Sequence, residues 1–226
     1  MRIIKYFICI ALFAKLILYA DLRNSSDRLF ISLGSHCEVA DKLRDSELRT
    51  EAFPFDWIGT DHHEKFIELL DNDFAFFLDE LFIFQRPENP TAFDNTYYEM
   101  RFRHENPSDP TIALSQYLEE LSEKYERRIN RFRGLKNYGG KVFFIRSALN
   151  SSNPLSIISE KQQQTLKMAL YRFFPLLNFT LIIINYAEKY YFEEENTDNV
   201  IEFKIRRTHQ SIDYTRFLKK ISHHHQ

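Results

Sequence analysis

A thiol, an imidazole and a carboxylate or amide are the groups from which a nucleophilic site is built, and this chain offers one thiol in a setting that favours chemistry. Its two cysteines are Cys9, inside an apolar N-terminal stretch, and Cys37. A cysteine attacks as its thiolate, and the start of a helix stabilises that charge. Residues 28–33 read as a buried strand stopped by Gly34, and a helical pattern follows over residues 35–43. Ser35 and Glu38 have capping-box spacing, which predicts Cys37 in the first helical turn. A cysteine hydrolase also needs a base, usually histidine, and a polar group to orient it. His104 ends a different predicted strand and is the first candidate for base, with Asn185 or Asp56 to orient its ring. The bland alternatives are a Cys37 that is a small buried hydrophobe and a His104 that lies on the surface beside a turn. His36 adjoins Cys37 but points to another helix face. His62 and His63 lack metal-ligand spacing, and a single cysteine beyond the N-terminal stretch argues against a structural zinc, so no metal is expected.

The elements that must position these groups alternate in type. Strands are predicted over residues 97–103, 141–146, 179–185 and 200–205, besides 28–33. Helices are predicted over 61–72, 113–133, 159–174 and 212–221. Residues 52–59, Ala-Phe-Pro-Phe-Asp-Trp-Ile-Gly, read as a rigid aromatic loop, and residues 74–84 fit neither period. This order predicts an α/β single domain, a mainly parallel sheet flanked by helices, over residues 27–222, with a tail at 223–226. Sites in such sheets form beyond the carboxyl ends of the strands. That rule gathers Cys37, His104, Arg146, Asn185 and His209 into one candidate site, with Ser35 beside them.

Two features have a structural and a functional reading. Asp56 either caps a turn in an aromatic loop or stands as a carboxylate beside the site. Arg127, Arg128 and Arg131 on the long helix form a solvated face, bind an anionic substrate, or pair with Asp56. Arg146, at a strand end among apolar residues, points more strongly to a site. The chain has no phosphate-binding glycine loop, no Gly-x-Ser-x-Gly elbow and no His-Glu-x-x-His helix, and no cofactor is expected.

Residues 1–20 have a short basic start and an apolar stretch from 6 to 19, closed by Ala20 before a polar run. This is the pattern of a secretory signal peptide, with a membrane anchor or a buried first helix as alternatives. It predicts export to the periplasm, cell envelope or medium, or anchoring and membrane association through residues 1–20. Loss of Cys9 by cleavage would leave Cys37 without an intramolecular disulfide partner. Asn-x-Ser/Thr sequons stand at Asn24, Asn150 and Asn178. A net charge of −2 gives no electrostatic footprint for nucleic acid. The 22 phenylalanines and 12 tyrosines predict a core of aromatic rings.

Ser32-Leu33-Gly34-x-x-Cys37-x-x-Ala40-x-x-Leu43-Arg44, followed by Pro54-Phe55-Asp56-Trp57-Ile58, resembles the uncharacterised bacterial family of putative papain-like cysteine peptidases (domain of unknown function 1796). Asn72-Asp73-Phe74, Tyr125-x-Arg127-Arg128-Ile129-x-Arg131-Phe132 and Val142-Phe143-Phe144-Ile145-Arg146 extend the resemblance over most of the chain. It implies a nucleophile at Cys37 and a downstream histidine. The family's histidine is followed by an acidic residue and an aromatic. Here His104-Glu105-Asn106 keeps the acid and lacks the aromatic.

These features predict a thiol-dependent hydrolase or acyl transferase with Cys37 as nucleophile and a histidine base, acting on a peptide, acyl or glycan substrate. The rival from another class is a non-catalytic envelope protein that binds glycans or anions in the same strand-end pocket. A third reading, an envelope-anchored structural protein, rests on the N-terminal stretch alone.

Overall fold

The computed structural model describes residues 28–86, 89–102, 104–105, 113–148, 157–187, 193–197 and 199–206. In chain order the elements are β1 (Arg28–Ser32), α1 (Glu38–Asp45), β2 (Ile58–Thr60), α2 (His63–Asp71), β3 (Ile83–Arg86), β4 (Asn89–Asn95), β5 (Met100–Phe102), α3 (Leu114–Gly134), β6 (Lys141–Ser147), α4 (Glu160–Phe173), β7 (Phe179–Ala187), β8 (Glu193–Thr197) and β9 (Val200–Arg206). The expected α/β class and mainly parallel main sheet are present. Its order is β1-β6-β7-β9-β8, parallel from β1 to β9, with β8 antiparallel at the edge. A second sheet, β2-β5-β4-β3, is wholly antiparallel.

The main sheet is apolar on both faces, as a parallel sheet covered by helices must be. Alternate side chains divide between the faces. Phe30, Phe143, Ile145, Ile182, Ile184 and Phe203 pack with Val39 and Leu43 of α1. Val142, Phe144, Leu181 and Ile183 face the larger core, shared with α2, α3, α4 and the second sheet. Phe132 of α3 is the hub there: its ring lies 5.0–6.0 Å from those of Phe55, Phe74, Phe144, Phe173 and Phe174. The edge and offset geometries suit the ring quadrupoles.

Several local expectations change. The loop at 52–59 ends in a strand, β2, and the strand expected over 97–103 is three residues long, because Tyr97–Glu99 turn and Glu99 has φ +54°. Residues 74–84 had no clear period because they contain successive turns, with Asp73, Phe74 and Phe76 at positive φ, then a 3-10 turn Glu80–Phe82 and β3. α4 carries a capping box from Ser159 and Gln162. The predicted helix at 212–221, the tail at 223–226, residues 1–20 and His209 lie outside the described residues. Among the described residues no helix is long and apolar enough to cross a membrane.

Gly34, just after β1, packs tightly against Thr60 at the end of β2 and against Phe55. Its φ is +76°, and a Cβ there would lie 2.8 Å from Thr60 Oγ1 and 3.3 Å from the Phe55 carbonyl oxygen. Left-handed backbone costs an L-residue roughly 1–2 kcal/mol, and overpacking adds roughly 1–3 kcal/mol. Gly34→Ala is therefore expected to lower unfolding free energy by about 2–5 kcal/mol in urea titrations. A midpoint unchanged from the parent protein would show that this approach is not tight.

Candidate functional site

The chain leaves β1 through a turn that two consecutive left-handed residues create, Gly34 at φ +76° and Ser35 at φ +79°. The Gly34 N–H donates to Ser32 Oγ at 3.1 Å. Ser35 is clasped by Thr60 at the end of β2: its N–H donates to Thr60 Oγ1 at 2.8 Å, and its carbonyl accepts from the Thr60 N–H at 3.3 Å. Left-handed geometry at a residue with a Cβ costs of order 1–3 kcal/mol, and this double bond to β2 holds it. Ser35 consequently does not cap α1, contrary to its spacing with Glu38. The capping position is Cys37 itself, with φ −63° and ψ −15°, and its carbonyl accepts the Asp41 N–H at 2.9 Å. Cys37 is half-buried at the first turn, beyond the carboxyl end of β1. Glu38, next in the chain, accepts a 2.9 Å hydrogen bond from the Tyr186 hydroxyl on β7, which ties α1 to the middle of the sheet edge.

Arg146, near the end of β6, lies under this turn. Its Nη1 donates to the Leu33 carbonyl at 2.7 Å and to Thr60 Oγ1 at 3.0 Å, and its Nη2 donates to the Thr60 carbonyl at 2.6 Å. The guanidinium sits 4.3 Å from the centre of the Phe66 ring and is 3% exposed. Burial pushes its pKa down to about 9, which leaves it a cation at neutral pH. No ion pair to Arg146 is present among the described residues.

His63, at the start of α2, is an imidazole that the fold brings to this edge from another element. It lines a cleft of about 120 Å³ with Ser35, Asp61, Arg146, Ser147 and Gln162. Its Nε2 lies 3.0 Å from Thr165 Oγ1, whose hydroxyl donates to the Gln162 carbonyl at 3.0 Å. Donor and acceptor in this contact depend on the ring's tautomer: with the hydroxyl hydrogen on the Gln162 carbonyl, Nε2 donates to Thr165 and Nδ1 carries the lone pair. Burial and then the Arg146 charge push the His63 pKa down to about 4. The sequence reading passed over His63 because spacing alone tied it to no partner. Its place beside Arg146 is a tertiary fact.

The other candidates are dispersed. His104 follows β5, which belongs to the antiparallel sheet, so the strand-end rule does not carry it to the edge with Cys37. Its exposed ring rests edge-on against Trp57 at 5.8 Å. Trp57 in turn lies 5.7 Å from the Arg44 guanidinium, two turns along α1 from Cys37, and 5.6 Å from that of Arg49. Asp56 is buried and bonds to no imidazole among the described residues. Its Oδ2 accepts from the Phe53 N–H at 2.9 Å and from Arg49 at 2.7 and 3.1 Å. Burial raises its pKa, against the lowering effect of these donors. Its partner is Arg49, seven residues earlier, which the sequence reading did not single out.

Asn185 pins the entry to α4: its Oδ1 accepts the Ile158 N–H at 2.7 Å, and its Nδ2 donates to the Ile158 carbonyl at 3.0 Å and to Glu202 at 2.8 Å. Arg127 is exposed and donates to the Glu123 carbonyl of its own helix. Arg128 is buried, 3.6 Å from the Glu105 carboxylate, which also accepts from Lys124 and from the Tyr125 hydroxyl. The acid beside His104 is thus bound to α3. No group of three or more His, Cys, Asp or Glu suited to a metal occurs among the described residues.

The family described as putative papain-like cysteine peptidase (domain of unknown function 1796) matches residues 28–189. The uncharacterized protein R408 of Acanthamoeba polyphaga mimivirus is 31% identical over 182 residues, which cover 73% of this chain and 81% of the viral one. No solved structure matches.

The environment of His63 sets a pH dependence. The unfolded imidazole takes up a proton near pH 6.5, whereas the folded one resists until about pH 4. The unfolded state thus holds more protons in that window. The stabilising contribution is complete above pH 6.5 and is lost as pH falls towards 4, by up to about 3 kcal/mol. The stability advantage of the parent protein over His63→Asn is expected to shrink across this window in denaturant titrations at several pH values. A constant difference would contradict the buried, neutral ring.

Proposed function

The chain belongs to the putative papain-like cysteine peptidase family, and from that premise we propose that it is a thiol-dependent hydrolase or acyl transferase with Cys37 as nucleophile. The observation that carries the reading is the position of Cys37: a half-buried thiol at the first turn of α1, just past the carboxyl end of a parallel strand. Helix N–H groups there favour a thiolate and, in the transition state, an oxyanion. The Cys37 thiolate attacks the substrate carbonyl carbon and a C–S bond forms. The tetrahedral intermediate collapses to a thioester as the leaving amine or alcohol takes the proton that the thiol had given to an imidazole base. Water or a second nucleophile then cleaves the thioester and restores the thiol.

The family resemblance implies a downstream histidine as the base, and His104 is the first candidate, although its ring stands against Trp57 at the other end of α1 from Cys37. His63, with its pKa near 4 and its Nε2 engaged by Thr165, is a weak base for a thiol of ordinary pKa. Peptide, acyl and glycan derivatives are the substrates to screen. Export or anchoring through residues 1–20 would place this activity outside the cytoplasm or at a membrane, and comparing localisation with and without those residues tests it.

Alkylation of Cys37 with iodoacetamide, or Cys37→Ala, is expected to abolish turnover of thioester and amide substrates while the protein stays folded. Turnover at the parent rate in Cys37→Ala would sink the proposal. His104→Ala is expected to lower kcat by roughly 100-fold or more. Its melting temperature should barely move, because the ring is exposed. Parent-level kcat in that variant would remove His104 from the mechanism.

A further inference from the structure

The cleft behind the turn that leads to Cys37 is lined by two buried polar atoms without a hydrogen-bond partner and by a buried cation. Ser35 is 1% exposed, yet its Oγ has no hydrogen-bond partner, and Asp61 Oδ1 is likewise buried and unpartnered. Both residues line the cleft with Arg146. Buried polar atoms are nearly always bonded, so two orphans facing one small space mark a place that a ligand or ordered water completes. Arg146 adds a charge. A guanidinium has five N–H donors, and the three described bonds all go to neutral oxygens. Elsewhere in this chain Arg49, Arg86 and Arg172 each grip a carboxylate through Nε and Nη2. Asp61, the carboxylate that lines the cleft, is paired with Arg101. This desolvated cation has no ion pair among the described residues, and an anion in the cleft would supply one.

The unmet groups differ in what they ask for. Arg146 attracts an anion, and the Ser35 hydroxyl can donate to it. Asp61 Oδ1 accepts only, and it needs an N–H or O–H. His63 sits alongside as a neutral ring and adds no second cation. A carboxylate with an amide N–H one carbon away meets both demands, and that pair is the end of a peptide chain. The volume, about 120 Å³, equals about four waters at roughly 30 Å³ each and suits a residue with a small side chain.

We propose that the cleft formed by Ser35, Asp61, His63 and Arg146 binds the C-terminal residue of a peptide or N-acyl amino acid, with its carboxylate at Arg146 and Ser35 and its N–H at Asp61. Ser35 lies two residues before Cys37, so the bound terminus stands at the turn that carries the nucleophile. The inference rests on the hydrolase reading only for its meaning as substrate selection.

Its test reads binding in full-length Cys37→Ala protein, where turnover cannot interfere. Titration calorimetry with N-acetylalanine and with N-acetylalaninamide compares the same group with and without the carboxylate. The acid is expected to bind on the order of tenfold more tightly or better, the range of a charged hydrogen-bond pair. Ser35→Ala, which removes a hydroxyl without a fold partner, is expected to weaken acid binding several-fold at an unchanged melting temperature. Equal binding of acid and amide, or no acid binding at 10 mM (about ten times the weakest Kd worth calling a site), would overturn the proposal and leave the cleft to water. Neither result touches the role of Cys37, which turnover and alkylation decide.

Discussion

The Arg146 guanidinium is the point on which the two sheets and the turn that leads into α1 are hung. It is the end of a central parallel strand, yet its bonds go to the Leu33 carbonyl after β1 and to both oxygens of Thr60 at the end of β2. Thr60 then holds Ser35 through two backbone groups. A cation removed from water binds carbonyl oxygens strongly, because the low local dielectric magnifies the attraction and nothing competes. Through that chain of bonds the antiparallel sheet, attached to the main one over few contacts, is fixed against the start of α1. Phe66 of α2 covers the guanidinium and completes the enclosure.

This arrangement explains why Ser35 tolerates a left-handed backbone. A capping serine would release the turn and let α1 begin earlier. Clasped by Thr60, it instead leaves Cys37 as the first residue with helical geometry, half-buried and next to the free N–H groups of the helix start. The strain and the thiol's placement have one cause. The same clasp turns the Ser35 hydroxyl into a cleft without a partner, beside two charged residues that line it, Arg146 and Asp61.

A second polar centre lies at the opposite end of α1. Asp56 is gripped by Arg49, Glu105 by Lys124, Tyr125 and Arg128, and Trp57 rests among Arg44, Arg49 and His104. These residues carry much of the family resemblance, and in the fold they lock the aromatic loop to α3. The second polar centre is a structural network on the face that His104 joins, while the cleft of Ser35 and Arg146 forms at the edge that Cys37 joins.

The sequence by itself determined the main sheet, because buried parallel strands such as Phe179–Ala187 are continuous apolar runs and α3 repeats its apolar residues at helical spacing. It also determined that Cys37 stands between a strand and a helix, since Gly34 marks the break. The three-residue β2 and the polar edge strand β8 were not legible, because short strands acquire their identity from a neighbour rather than from local pattern. The strand-end rule misplaced His104 for the same reason: pairing, not propensity, put β5 in the antiparallel sheet. Asn185 and Asp56 looked like orienting groups by type, and tertiary packing gave them backbone and arginine partners instead. His63 became part of the edge only when α2 folded against α4 and Arg146, contacts more than eighty residues apart in sequence. Local pattern fixes what one segment can be, but a site is made where segments meet, and that meeting was decided by the buried charge of Arg146 and the close approach at Gly34.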